Sequence, residues 1–451
     1  MNSRKSFNIY TFPRLLIVTS STFNPYTGTG ILLSNLFKGW PANRISLVHS
    51  DNFYHDLSAC INVYKLGALE YRGVGFLNWF INMPTISVRI SNRKSSIYKE
   101  AFSESGISDK SQLRLFYDQV NRHLGGEEVY LNRIPSERLL RWINAFEPDL
   151  LYCHVSSLMS IRFVRKLKKL LRIPLCVHIM DEWLNVRYRH GIFARKLRSE
   201  FLKEFKGVLN ESRLRLCIGQ KMCDFYGDMF GGSFIPVSNV VDPGLWMSCP
   251  NKGKENDLFT IVYAGTINTK NVSNLKIMSK VVEDLHSEGN NCHLKIATFQ
   301  PRVEKYRPFL ERKPSVTVSE VPQDDHGMAR LLQNADLLFL PVDFTRISIE
   351  RMRFSIFAKL PAYMMSGTPI LAYGPPEVAS IEYALKEKWA YVVGREDKVL
   401  LKQAIVELID NSALRERIGR RAQEVGVRDF DANRLRPEFH KALAAAAGQR
   451  G

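Results

Sequence analysis

Phe259-Thr260-Ile261-Val262-Tyr263-Ala264-Gly265-Thr266-Ile267-Asn268-Thr269-Lys270-Asn271 opens the second half of this 451-residue chain. Its first residues make a short, branched, apolar run, which predicts a strand covered on both faces. Gly265 closes the run, hydroxyl and amide side chains follow, and residues 272–287 then take a helical period. Strand, glycine turn and helix in that order form the repeating unit of an open parallel sheet with crossover helices.

The same unit recurs on both sides. Downstream, apolar runs at 294–297, 336–340, 369–372 and 390–393 predict strands, with helices over 325–334, 376–386 and 399–410. Upstream, strands are expected at 15–19, 45–49, 149–153, 175–179 and 214–218, with helices such as 31–40, 157–171 and 193–208. Periodicity breaks at 242–257, where Pro243, Gly244, Pro250 and Gly253 cluster. The chain therefore reads as α/β: a Rossmann-like unit at 1–242, a linker at 243–257, a second Rossmann-like unit at 258–425, and a helix with a tail at 426–451. Two doubly wound sheets facing each other leave a cleft, and ligands of such sheets bind beyond the carboxyl ends of the strands.

Composition narrows the ligand. Hydrophobic residues at 45% and charged residues at 24% describe a globular chain rather than a disordered one. The 63 Lys and Arg against 45 Asp and Glu give +18, which points to anionic partners. No aromatic-interleaved basic module accompanies that charge, so nucleic acid is not expected. The cysteines (Cys60, Cys153, Cys176, Cys217, Cys223, Cys249, Cys292) form no C-x-x-C pair, which argues against disulfides and zinc and for a cytoplasmic protein. No His/Cys/Asp cluster has metal spacing, so neither a metal nor another cofactor is expected. The start of the chain lacks a signal-peptide core, and no uncharged stretch is long enough to cross a membrane.

Candidate site residues follow the strands. After the first comes Ser20–Gly30, where Gly28 and Gly30 allow close backbone approach and Thr29 suits an N-cap exposing N–H groups to an anion; a plain tight turn is the alternative. After the strand at 259–264, Gly265, Thr266 and Lys270 make a diphosphate cradle, with a solvated lysine as the alternative. In 351–370, Lys359 stands near a helix start, where a cation opposes the macrodipole and an anionic ligand, or a snorkelling surface position, would account for it. Ser355 lies in the same stretch. Glu377, after the next strand, accepts from ribose hydroxyls or simply favours a helix N-terminus. His178 and Asp181 follow a first-half strand on the cleft side, where capping the next segment is one reading of Asp181; His154 and His49 read as structural.

Val262-Tyr263-Ala264-Gly265-Thr266, Asn239-Val240-Val241-Asp242, Ala335-Asp336-Leu337-Leu338 and Lys359-Leu360-Pro361-Ala362-Tyr363-Met364-Met365-Ser366-Gly367-Thr368-Pro369-Ile370 together resemble GT-B nucleotide-sugar glycosyltransferases of the retaining, family-four type. The resemblance implies a GT-B fold, an acceptor on the first unit, where Asp181 or His178 would orient or deprotonate its hydroxyl, and a nucleotide-diphosphate sugar mainly on the second. It also implies transfer to a glycan or lipid-linked glycan in surface polysaccharide or glycoconjugate synthesis. Two glutamates frequent in that family fall at Phe354 and Ala362, and its arginine after the first glycine is Thr266. These departures leave a non-catalytic nucleotide-binding scaffold and a nucleotide-sugar epimerase as alternatives. Residues 160–172 carry six cations and no acid, and 73–86 is uncharged with Phe76, Trp79 and Phe80. Both suit a peripheral position on the inner face of an anionic membrane.

Overall fold

The computed structural model of the protein describes residues 12–51, 55–73, 119–247, 258–268 and 271–448. Lys270, most of the uncharged 73–86 stretch and most of the 243–257 linker lie outside the described residues.

Two parallel sheets organise the chain. The first has the order β3-β2-β1-β6-β7-β8-β9, from Asn62–Lys65, Ile45–His49, Leu15–Val18, Leu150–Cys153, Leu175–Ile179, Leu214–Cys217 and Ile235–Pro236. The second has the order β12-β11-β10-β13-β14-β15, from Val316–Glu320, Cys292–Thr298, Phe259–Ala264, Leu337–Pro341, Ile370–Tyr373 and Tyr391–Val393. A separate antiparallel pair joins β4 (Tyr71–Gly73) to β5 (Leu131–Arg133). In each large sheet the first strand of the unit lies inside and the order reverses beside it, β1 between β2 and β6 and β10 between β11 and β13. Such a reversal is where open α/β sheets gather ligands.

Central strands read as uninterrupted apolar runs because helices cover both faces; β1, β2, β6, β7 and β13 are buried at every position. Of the outer strands, β12 alternates buried apolar with partly exposed polar residues, and β3 is only partly buried along its whole length. The expected helix at 376–386 starts later, at Ala379, and leaves Glu377 in the preceding turn.

The chain crosses between the units twice. Beyond Val241 a helical turn, Pro243–Met247, sets Trp246 into the second core, where its carbonyl accepts from Gln333 Nε2 at 2.6 Å. The helix Ser412–Phe430 packs along Leu360–Met365, and a Cβ on Gly419 would collide with the carbonyl of Gly367. Glycine at 419 is thus what lets the two helices approach so closely. The last helix, Ala432–Ala447, then returns to the first unit: Phe439 lies 5.2 Å from Phe37, Arg436 Nε donates to Asn35 O at 2.7 Å, and Phe439 and Leu443 complete that core. The outgoing and returning strands meet in a parallel bridge between Val241 and Asp431.

Candidate active site

A cavity of about 720 Å³ lies at the carboxyl ends of both sheets and is lined by both units. On the first unit its wall begins with the loop after β1. Asn24 is fully buried and shapes that loop, its Oδ1 accepting from the N–H groups of Tyr26 (3.0 Å) and Thr27 (2.9 Å). Thr27 Oγ1 in turn accepts from Gly30 N at 3.0 Å, so Thr27 caps the helix Gly28–Phe37. This corrects the expectation for Thr29: it lies in the first helical turn, on the cavity wall, because the Asn24 turn brings Thr27 into the capping position first. Gly28 also lines the cavity. Gly30 does not; a Cβ there would strike the Asn24 side chain, so its smallness serves the loop rather than a ligand.

On the second unit, Gly265 leaves β10 with φ +143°, which a side chain would strain. Tyr263 OH and Asn271 Nδ2 both donate to the Thr266 carbonyl, at 2.7 and 2.9 Å, and fix the turn. Lys359 comes in from the start of the helix Leu360–Met365, its Nζ 4.0 Å from the centre of the Tyr263 ring and 5.1 Å from that of Tyr363. No carboxylate pairs with it among the described residues. Burial disfavours its charged form and pulls its pKa down to about 7, although the two ring faces favour the cation. Ser355 also lines the cavity, with its hydroxyl on the Arg351 carbonyl at 3.5 Å. Glu377 is exposed and outside the cavity, so its position does not serve a ribose there; only its backbone carbonyl is engaged, by Lys221.

Asp181 and His178 part company. Asp181 follows β7 and lines the cavity. His178 is inside the strand, wholly buried, with Nε2 3.0 Å from the Val237 carbonyl and Nδ1 2.6 Å from Tyr152 OH. A carbonyl only accepts, so Nε2 carries the proton and Nδ1 accepts from the tyrosine. Burial lowers the His178 pKa to about 3. A neutral ring with both nitrogens occupied is a core group, which corrects its expected role on the acceptor. His178→Phe should therefore cost about 2 kcal/mol by leaving two buried polar groups unpartnered. Urea denaturation would measure that loss, and catalytic turnover should be unaffected. His154, just after β6, differs from His178: both ring nitrogens lack partners, burial lowers its pKa, and the charge of Asp181 acts on it in the opposite direction.

Several contacts across the cleft were not signalled by any local motif. Tyr26 packs edge-on against Phe299 with ring centres 5.5 Å apart, and its carbonyl accepts from Thr266 Oγ1 at 3.4 Å. Asn239 Nδ2 reaches across to the Ala358 carbonyl (2.6 Å), while its Oδ1 accepts from Asn35 Nδ2 within the first unit (2.9 Å). Phe354 stacks on Phe225 of the first unit at 4.5 Å and 27°, while Ala362 places only a methyl group at the cavity. Glu350 does not stand in for either missing carboxylate; it is ion-paired with Arg189 and Arg346 away from the cavity.

The basic face at 160–172 is partly neutralised. Arg162 pairs with Glu200 and Arg165 with Glu204 and Glu211, all on the helix Ala194–Glu211, whereas Lys166, Lys169, Leu170 and Arg172 are exposed. Among the described residues no helix is long and apolar enough to cross a membrane, and no group of His, Cys, Asp or Glu converges as a metal site.

Two facing doubly wound units with a shared cleft define the GT-B fold, and solved structures agree. The chain superposes on sucrose-phosphate synthase from Thermosynechococcus elongatus with a TM-score of 0.58 at 13% identity, covering 96% of this chain and 100% of that one. The Anabaena protein HepE in complex with UDP gives 0.56 at 12% over 96% and 100%. A UDP-forming trehalose-phosphate synthase from Burkholderia vietnamiensis gives 0.57 at 9% over 97% and 99%. No family model and no curated protein sequence matches the chain.

Proposed function

We propose that the protein is a glycosyltransferase that moves a sugar from a nucleoside-diphosphate sugar to a glycan or lipid-linked glycan. The observation that carries this reading is Lys359: a desolvated cation without a carboxylate partner, packed beside Gly265 at the strand ends of a cavity shared by both units. A diphosphate there would supply the missing counter-charge. Gly28 and Thr29, in the first turn of their helix where N–H groups have no intrahelical acceptor, line the same cavity and favour developing negative charge. Lys359 then stabilises the departing nucleoside diphosphate without a metal, and Asp181 orients or deprotonates the attacking hydroxyl from the opposite wall. The HepE structure was solved with UDP, which supports a nucleotide in this cleft. Thermal-shift titration with UDP, GDP, ADP, CMP and dTDP tests the reading; a stabilising diphosphate whose effect vanishes in Lys359→Met upholds it, and no response to any of the five sinks it.

The depressed lysine gives a pH signature. Between about pH 7 and the ordinary lysine range the folded, unliganded protein binds fewer protons than the unfolded chain, so its stability should rise with pH across that window. A bound diphosphate restores the positive charge. Nucleotide binding at pH 8 should therefore take up a proton, visible as different calorimetric heats in Tris and HEPES, and Lys359→Met should abolish the difference.

A second reading, a nucleotide-binding scaffold without transferase activity, is favoured by Phe354 and Ala362, and every sugar donor that binds coming back unchanged, with neither nucleotide release nor epimerisation, would establish it. The exposed Lys166, Lys169, Leu170 and Arg172 also suit a cytoplasmic enzyme resting on an anionic membrane, at about 1 kcal/mol per cation near the surface.

A further inference from the structure

Ahead of the helix Ala194–Glu211 the chain makes an exposed turn, Arg189-His190-Gly191-Ile192-Phe193. Ile192 and Phe193 are 65% and 39% exposed at its tip, an apolar point rimmed by polar residues as interaction surfaces are. The backbone holds them there. Ile192 N donates to the His123 carbonyl at 2.8 Å and Phe193 N to the Leu124 carbonyl at 3.0 Å, and a Cβ on Gly191 would collide with the Gly125 backbone. The two segments brace each other, so the pair stands on a fixed support.

The rim is cationic. Residues 187–199 carry Arg187, Arg189, Arg195, Lys196 and Arg198 and no acid. On the bracing segment Glu127 and Glu128 are half-buried, and Glu128 accepts from Tyr188 OH at 2.6 Å. Arg189 pairs with Glu350 of the second unit, whereas Arg195 and Lys196 are exposed and have no ion pair among the described residues. Both occupy the first helical turn, where the macrodipole disfavours cations, and Phe193 takes the N-cap without a capping hydrogen bond. An anionic surface offsets both costs.

From this arrangement we infer that the turn anchors the protein on an anionic phospholipid bilayer: Ile192 and Phe193 enter the boundary of the acyl chains while Arg195 and Lys196 meet lipid phosphates. A second copy of the chain fits less well, because a two-fold contact through this tip would set the same cations against each other. The inference rests on the membrane reading above and deepens it, moving the contact from the helix Leu158–Leu171 to the cleft side of the first unit. Asp181, on the cavity wall, and the tip lie on one connection after β7. An enzyme anchored here turns its acceptor half toward the lipid.

The test sediments the full-length protein with vesicles of phosphatidylglycerol and phosphatidylcholine in equal parts, or of phosphatidylcholine alone, at low salt. Binding to the anionic vesicles only is expected. Ile192→Ser with Phe193→Ser should weaken it about tenfold or more while the urea midpoint stays at the wild-type value. Arg195→Glu with Lys196→Glu should weaken it about tenfold as well. Phe193→Trp should bind like the wild type and add an emission that shifts to the blue and is quenched by brominated lipid. Unchanged binding of the double-serine variant overturns the inference. So does a loss confined to Lys166→Glu with Lys169→Glu, an outcome that leaves the membrane reading standing with a different contact. Wild-type protein that ignores both vesicles removes the membrane reading together with the anchor. A dimer that dissociates on the serine substitutions would assign the tip to a second copy and overturn the inference too.

Discussion

Lys359→Met is expected to reduce kcat/KM for sugar transfer about 100- to 1000-fold, the usual effect of removing one preorganised charge from a developing anion. The same substitution should stabilise the unliganded protein. Methionine keeps the packing against Tyr263 and Tyr363 but carries no charge that burial disfavours. Because the lysine's desolvation penalty is fully present below about pH 7 and shrinks as pH rises toward the ordinary lysine range, the gain should be largest at low pH. Activity is read from nucleotide release under saturating and limiting donor, and stability from urea midpoints at pH 6 and pH 9. A variant that transfers sugar like the wild type would show that the donor diphosphate lies elsewhere.

Phe354→Glu should destabilise the protein by about 3–5 kcal/mol, the range for a buried charge left without a full complement of partners. The sequence resemblance taken alone implies the reverse, a glutamate at this position. In this chain the Phe354 ring is buried, stacked on Phe225 and packed into the core of the first unit. Arg353 lies 5.4 Å from the ring and would offset only part of the cost. A lower urea midpoint together with lost transfer is expected, and Phe354→Leu, which keeps an apolar contact, should cost about 1 kcal/mol. Enhanced transfer without loss of stability in Phe354→Glu would mean that the stack is not what holds this segment.

The parts of the fold legible in the sequence were those built from local physics. Central parallel strands announce themselves because both faces are buried, as β2 and β7 do along their whole lengths. The outer strands β3 and β12 escaped notice because partial exposure mixes polar residues into them. At the site, Gly28, Thr29, Gly265, Thr266, Ser355, Lys359 and Asp181 all reach one cavity, since the carboxyl end of a strand is a position that can be read from sequence. His178 went astray by a matter of direction: it lies within β7 with its ring turned into the core, whereas Asp181, just beyond the strand, is free to face the cleft. The contacts of Tyr26, Asn239 and Phe354 depend on how two distant units face each other, and no local pattern encodes that.

The return of the helix Ala432–Ala447 to the first unit bears on the order in which the protein is made. Phe439 and Leu443 fill the core around β6 and β7, yet they leave the ribosome only after the whole second unit has been synthesised. Domains usually fold as they emerge, the earlier one first. Here the earlier one must wait, with part of its apolar surface uncovered, until the final residues arrive. A chain released after residue 430 would therefore hold a finished second unit and an unfinished first one.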